Sequence, residues 1–208
     1  MENGLAPNPE LWRPLLALIL ASIVIMGSPG PSTISVTAVG AAFGVRRSLL
    51  YAAGLVTGTV AVLAMVAAGV VALVLAIPHG ARLIGAIAAV YILYLAYKIA
   101  TAPPLEARSA RTAAPSFAGG FLLAIANPKA YLAIAAVFAG TTIFAQNHGL
   151  DAAVKLVLLS LMIVIIHLAW LFAGAALSRF LRDPATSRLI NMSLAAALVI
   201  TTFLALMS

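Results

Sequence analysis

The sequence predicts an all-α membrane protein with six transmembrane helices. Of its 208 residues, 64% are hydrophobic and only 8% are charged, whereas soluble domains carry roughly 25% charged residues. Its long uncharged runs match the roughly 20 apolar residues that a spanning helix needs, and they lack the alternation of a membrane β-strand. We therefore expect a single transmembrane domain over residues 1–208.

The uncharged runs give the order of the expected helices. A polar stretch at about 101–115 is the longest connection, and it separates a first repeat over about 13–100 from a second over about 116–207. The approximate helix ranges are 13–43, 47–77, 80–99, 116–145, 152–178 and 186–207.

The basic residues set the expected orientation. Eight lie on the side that holds the loops after helices one, three and five, and three lie on the other side. The positive-inside rule then places those loops in the cytoplasm and both termini outside. The eight are Arg46, Arg47, Lys98, Arg108, Arg111, Arg179, Arg182 and Arg188, and the three are Arg13, Arg82 and Lys155.

The net charge of +7 is therefore assigned to cytoplasmic loops and not to nucleic-acid binding. The chain has no cysteine, which excludes disulfides and thiolate metal sites. All five acids fall in expected tails or loops: Glu2, Glu10, Glu106, Asp151 and Asp183. We expect no membrane carboxylate, no bound metal and no cofactor.

Helices one and four are too long for one straight span, and each contains a proline near its middle. Ser28–Pro29 in the first matches Asn127–Pro128 in the fourth at an offset of 99 residues. Three-helix halves must lie in opposite orientations, so this is the pattern of two inverted repeats with a broken helix in each, as in many transporters. The alternative is that both prolines only kink their helices.

The first break is a candidate binding site, because backbone groups freed there cannot face lipid. Gly30 allows close approach to the backbone, while Pro29 and Pro31 remove donors and fix the bend. Ser32 and Thr33 are expected to supply capping oxygens to the half-helix that follows. The positive end of that half-helix would attract a carboxylate.

Lys129 is the charged residue that falls deep within an apolar segment, where a charge costs about 3 kcal/mol or more. We expect it, together with Asn127 and Pro128, to receive the carboxylate of a substrate or a counter-ion. The alternative is that the fourth helix begins near Asn127 and that Lys129 snorkels to the surface.

Three further side chains are candidates for the same cavity. His167 in the fifth helix is the candidate for proton coupling, although a lone histidine in a bundle is more often a hydrogen-bonded packing residue. Tyr91 points toward mid-membrane from the third helix. Thr59 offers a hydroxyl from the second helix, with a bond to its own helix backbone as the alternative. Trp170 is interpreted as an interfacial belt residue.

Gly40 with Gly44, and Gly54 with Gly58, form small-xxx-small pairs that allow close helix contact. Packing within the bundle is their ordinary role. A homodimer is also expected, although such pairs identify no particular interface.

Two motifs make the chain resemble the lysine exporter and homoserine/threonine resistance family, often called the LysE family. Residues 28–32, Ser-Pro-Gly-Pro-Ser, look like its Pro-Gly-Pro motif, and residues 127–129 look like its Asn-Pro-Lys motif. Residues 179–191 resemble the basic loop before its last helix. The resemblance implies a secondary-active exporter of amino acids or derivatives, driven by protons, in the bacterial inner membrane. Many relatives carry an acid where this chain has Thr59, which favours neutral over basic substrates.

Other functions stay open at this point. A metal or inorganic-ion exporter of the wider superfamily would find few ligands among three scattered histidines. A membrane-embedded enzyme would need a Ser/His or paired-carboxylate arrangement, and Ser160 lies about two turns from His167, too far for direct contact. We therefore do not expect an enzyme. A non-catalytic scaffold would have no use for two matched breaks.

Overall fold

The computed structural model describes residues 9–69, 90, 93–94, 96–97, 100–101, 115–177 and 183–207. Within these residues every regular element is helical. α2 and α5, defined below, are each long and apolar enough to cross a membrane, and the bent pair α3–α4 counts as a third candidate span. The expected class of helical membrane protein is confirmed.

The chain leaves the helical conformation just before the first proline motif. α1 runs Pro9–Ala21 and passes directly into a π-helical turn, Ser22–Met26. Residues 27–30 are not helical, and α2 then starts with Pro31 at its first position. Proline lacks an N–H and has a fixed φ, so it disrupts a helix interior but is well suited to a helix start.

α2 runs Pro31–Ala67, with a change of direction at Gly44, whose φ is 72° and ψ is 170°. This positive φ favours glycine and falls between the expected end of helix one and start of helix two. Residues 31–42, the part of α2 before the turn, are buried throughout. This half-helix therefore runs through the interior of the protein.

The second proline motif also separates two helices. α3 runs Phe117–Ile125, α4 runs Pro128–Ala139, and their axes are bent by 62°. Asn127 is the residue before α4, with an extended backbone, and Pro128 occupies the first helical position. α4 ends six residues before the expected limit of 145 because Gly140 terminates it.

α5, His148–Leu177, starts four residues earlier than expected, and this corrects the placement of one charged residue. Asp151 was expected in a loop, but it is buried in the first turn of α5, and Lys155 is buried one turn later. Their side chains form an ion pair at 2.7 Å, and Lys155 Nζ also donates to Phe138 O at 2.9 Å. Mutual neutralisation allows both charges to be buried.

The last helix, α6, runs Pro184–Met207. Asp183 stands just before it and accepts a hydrogen bond from Thr186 N at 2.7 Å, as a capping residue does. The hydrogen bonds from Thr186 lower the pKa of the exposed Asp183 carboxyl. α6 therefore has a defined start outside the apolar part of the bundle.

α2 and α5 are the central elements because both buried apolar clusters include them. One cluster joins them to α3 and α6, with Leu55, Leu123 and Leu171 among its fully buried side chains. The other joins them to α1 and α4 and includes Leu18 and Ile134. The first proline motif leads directly into α2, and the second lies between α3 and α4, which pack against the central helices.

Glycines bring the central helices close to their neighbours. A side chain at Gly54 would collide with Phe117 O, and one at Gly120 would collide with Tyr51 O, so α2 and α3 touch backbone to backbone. The same kind of close contact occurs at Gly40, Gly58 and Gly174. Gly40, Gly54 and Gly58 thus serve packing within the chain, and the homodimer stays a prediction.

We expect Gly120→Val to destabilise the fold, because the new side chain has to displace the backbone of α2. Overpacking of this kind costs about 1–3 kcal/mol, or roughly 3–10 °C in the melting temperature of a chain of this size. The measurement is thermal unfolding of the purified protein in detergent. Gly149→Val is the control, since Asn147 Oδ1 at 3.6 Å is the one atom near that position. Equal melting temperatures for the two variants would contradict the close α2–α3 contact.

Candidate functional site

The two proline motifs lie against each other in the folded chain. Lys129 Nζ donates to Ser28 O at 2.5 Å, to Ser28 Oγ at 2.8 Å and to Pro29 O at 2.9 Å. A side chain from the second break therefore satisfies oxygens of the first break, about 100 residues earlier in the chain. Three acceptors saturate the donors of one ammonium group.

This arrangement shows where the side chain of Lys129 is directed. α4 does begin next to Asn127, as the snorkelling alternative assumed, yet the Lys129 side chain is directed at the first break. Its three partners are neutral oxygens, and among the described residues no carboxylate pairs with it. The positive charge is thus hydrogen-bonded but is not neutralised by an acid within the described parts of the chain.

A second contact joins the same two breaks. Asn127 Nδ2 donates to Ser32 Oγ at 2.9 Å, and both side chains are buried. Thr33 Oγ1 accepts from Gly30 N at 2.8 Å and satisfies the first free N–H of the break. Of the two expected capping oxygens, Thr33 therefore bonds to the break and Ser32 bonds to Asn127.

A partly open cavity of about 40 Å³ lies between the breaks, α2, α4 and α5. This volume admits a few water molecules and is far below the roughly 300–1,000 Å³ of typical ligand pockets. Pro29, Pro31 and Pro128 shape the adjoining backbone, and Tyr91 lies outside the described residues. Seven residues singled out from the sequence line this cavity together: Gly30, Ser32, Thr33, Thr59, Asn127, Lys129 and His167.

His167 reaches this cavity from α5 and is 4% exposed. Its Nδ1 lies 2.8 Å from Ile163 O. Because a carbonyl oxygen only accepts, Nδ1 carries the hydrogen of this bond. Nε2 is buried and has no hydrogen-bond partner in the part of the chain that the structure describes. The packing interpretation of His167 thus accounts for one ring nitrogen and leaves the other unexplained.

Thr59 has both of the properties considered for it. Its Oγ1 donates to Leu55 O at 2.8 Å within α2, which is the ordinary bond of a helical threonine. The same side chain forms part of the cavity wall. The bond to Leu55 O fixes the orientation of the hydroxyl, and the Thr59 side chain is still part of the cavity wall.

Sequence reasoning missed Ser28 as a ligand of Lys129 and assigned Trp170 to the membrane interface. Trp170 Nε1 instead donates to Gly27 O at 3.0 Å, so it closes the first break from the side of α5. The spacing offered a signal, because residues three apart share one face of a helix and Trp170 follows His167 by three.

Fold and site together define a helical membrane protein with a cavity next to its two proline motifs. The chain belongs to the LysE family, since the model of the LysE type translocator matches residues 23–208. The resemblance drawn from the two proline motifs is confirmed.

Similar proteins are efflux proteins of enteric bacteria. A cysteine/O-acetylserine efflux protein of Salmonella choleraesuis is 31% identical over 174 residues, covering 83% of this chain and 87% of that protein. A leucine efflux protein of an Enterobacter species is 27% identical over 170 residues, covering 79% of this chain and 81% of its own length. No solved structure gives a significant match. These relatives are transporters of amino acids by name and not enzymes.

We expect the Asn127–Ser32 hydrogen bond to appear as a coupling energy in a double-mutant cycle. Asn127→Ala and Ser32→Ala should each destabilise the protein, and the double variant should lose about 0.5–1.5 kcal/mol less than the sum. Thermal or denaturant unfolding in detergent provides the measurement. A parallel cycle with Ser48→Ala, whose hydroxyl bonds to Val39 O and Gly44 O, should give no coupling. Additive losses in the first cycle would exclude the contact.

Proposed function

We propose that this chain is a secondary-active exporter of amino acids or their derivatives across the bacterial inner membrane, driven by protons. The observation that carries the proposal is the contact of Lys129 with Ser28 and Pro29 across the two helix breaks. It places a cation, freed backbone groups and a cavity at one point. The named functions of the relatives, which are efflux of leucine and of cysteine or O-acetylserine, support the same substrate class.

The carboxylate of the substrate is received by Lys129. In the present arrangement its ammonium bonds only to neutral oxygens, whereas a carboxylate forms stronger, charge-assisted hydrogen bonds. The same donors cannot serve both sets of acceptors at once. A bound carboxylate therefore takes the place of Ser28 and Pro29, and the positive end of the half-helix that starts at Pro31 adds to the attraction.

Binding in this way opens the site. The cavity of about 40 Å³ is too small for an amino acid, so the two breaks must separate as the substrate enters. When the carboxylate binds Lys129, the bond from Lys129 to the first break is lost. Substrate binding therefore favours the conformation in which the two breaks are apart. A ligand shifts a conformational equilibrium only by such differential contacts.

Alternating access follows from the arrangement that we propose for the whole chain. Two inverted repeats, at about 13–100 and 116–207, would each contribute one broken helix to the site and rock against each other. Both termini would face outside, in accordance with the basic loops. Burial of residues 31–42 supports this, because the half-helix that starts at the first break is surrounded by the rest of the protein, as the broken helices of such transporters are.

The cavity favours neutral over basic amino acids. Lys129 is the charged side chain among the described residues that line it, and none of them is an acid. A basic side chain would meet this ammonium without a compensating carboxylate. The same repulsion opposes a metal cation, and we therefore do not retain the ion-exporter alternative. The amino group of the substrate is met by carbonyls freed at the breaks.

We expect Lys129→Ala to reduce efflux by about tenfold to a hundredfold, because the removed ammonium supplies charged hydrogen bonds worth about 1.5–3 kcal/mol. The assay is efflux of preloaded radiolabelled leucine, cysteine, O-acetylserine and lysine from vesicles that contain the purified protein. A pH gradient is present in one series and absent in the other.

Arg13→Ala is the matched control for this loss of a positive charge, since Arg13 is exposed on α1 and distant in sequence from the breaks. It should retain wild-type efflux. Western blotting and size-exclusion chromatography check that Lys129→Ala is inserted and folded. Efflux by Lys129→Ala with unchanged substrate affinity would refute the role of Lys129 as carboxylate receptor.

Introducing an acid into the cavity should change the preferred substrate. We expect Thr59→Asp to lower the ratio of leucine to lysine efflux by at least about tenfold, since a carboxylate attracts a cationic side chain and partly neutralises Lys129. Competition between the two labelled amino acids in vesicles measures the ratio. Thr59→Asn is the uncharged control of similar size. An unchanged ratio in Thr59→Asp would mean that position 59 does not contact the side chain of the substrate.

A further inference from the structure

Two buried polar atoms on residues that line the cavity, His167 Nε2 and Asn127 Oδ1, have no hydrogen-bond partner among the described residues. Both residues line the space next to Lys129, and each is 4% exposed. Buried polar atoms are nearly always paired, with protein, water or ligand, so these two atoms indicate where a polar partner binds. Both offer lone pairs when the imidazole is neutral, and they therefore fit the N–H donors of an amino group.

His167 differs from Asn127 because its free nitrogen has two alternative partners. The bond of Nδ1 to Ile163 O fixes the tautomer, so the neutral ring presents a lone pair at Nε2. That lone pair accepts a hydrogen bond from a substrate ammonium, or it binds a proton. It cannot do both, since a protonated Nε2 is a donor and faces the ammonium as a like charge.

We propose that a proton and the amino group of the substrate compete for His167 Nε2, and that this competition couples export to proton entry. The inference rests on the proposed export function and names the coupling atom. On the cytoplasmic side the neutral imidazole accepts from the substrate ammonium. After the site opens outward, the substrate leaves and a proton binds Nε2. That proton is released to the cytoplasm before the next substrate binds, so one proton enters for each amino acid exported.

The charged groups around the cavity are compatible with this cycle. Lys129 on α4 is the other ionisable side chain among the described lining residues, and the residues from α2 and the π-helical turn carry none. On α5 itself the nearest charged group toward the N-terminus is Lys155, which lies about 18 Å away along the helix and is paired with Asp151. With the substrate bound, its carboxylate balances Lys129. With the site empty, the ammonium of Lys129 opposes the imidazolium and promotes release of its proton.

The first test detects the displaced proton directly. Leucine, or the panel amino acid with the fastest efflux, is added to the wild-type protein in weakly buffered detergent with a pH-sensitive dye. The measurement is repeated at several pH values between about 5 and 7, over which a free amino acid stays a zwitterion, and binding should release a substantial fraction of one proton per site wherever the empty site is protonated. His167→Gln keeps an acceptor near the position of Nε2 but cannot be protonated there, and it should release none. Binding by the wild type without proton release overturns the proposal, whatever the variant does.

The second test separates transport from coupling. In vesicles, His167→Gln should still exchange internal for external labelled amino acid, with a rate lowered about threefold to tenfold by the weaker acceptor. Its net efflux should no longer respond to a pH gradient. His148→Gln, an exposed position at the start of the same helix, should behave as the wild type in both assays.

The outcomes distinguish this inference from the function on which it rests. Wild-type efflux that responds to the gradient equally well in His167→Gln overturns the role of His167 and leaves the exporter intact. Wild-type efflux that ignores the gradient overturns proton coupling and again leaves the exporter. Absence of efflux for every amino acid of the panel overturns both.

Discussion

The bond between Lys129 and the oxygens of Ser28 and Pro29 is the interaction on which the rest of the site depends. Interrupting a helix inside an apolar bundle frees backbone carbonyls, and a half-buried lysine there introduces a charge. Each of the two alone is costly. Placed together, each satisfies the other. The two breaks therefore have to lie side by side, and the cavity forms where they meet.

The close contact between the breaks requires small residues around them. A Cβ at Gly30 would lie 2.5 Å from Lys129 Cδ, so a larger residue would push the lysine stem away from the oxygens that it binds. Farther from the site, Gly54 and Gly120 let α2 and α3 approach until their backbones touch, while Gly40 and Gly174 do the same for α2 and α5. Packing at these glycines holds the two proline motifs in the positions at which they contact each other.

Features with local causes could be predicted from the sequence. Proline cannot continue a helix, so the interruptions near Pro29 and Pro128 followed from the residue type alone, and the apolar runs indicated the membrane class. Contacts between distant residues left no comparable signal. The partner of Lys129, the bond from Trp170 to Gly27 and the buried pair of Asp151 with Lys155 depend on packing. The early start of α5 was missed because a charged residue such as Asp151 is assigned to a loop when its ion-pair partner is unknown.

The same bonds that stabilise the closed site are those that a substrate has to replace. Lys129 exchanges neutral oxygens for a carboxylate, and the gain in bond strength is partly used to separate the two breaks, which lose their mutual contact. In such an exchange, affinity for the substrate stays moderate while the conformational response is large. For an exporter this balance is useful, because a substrate held too tightly would not leave on the outer side. His167 takes part in a second exchange of the same kind. When a proton replaces the amino group at Nε2, the substrate loses its hydrogen bond to the imidazole at the moment of release.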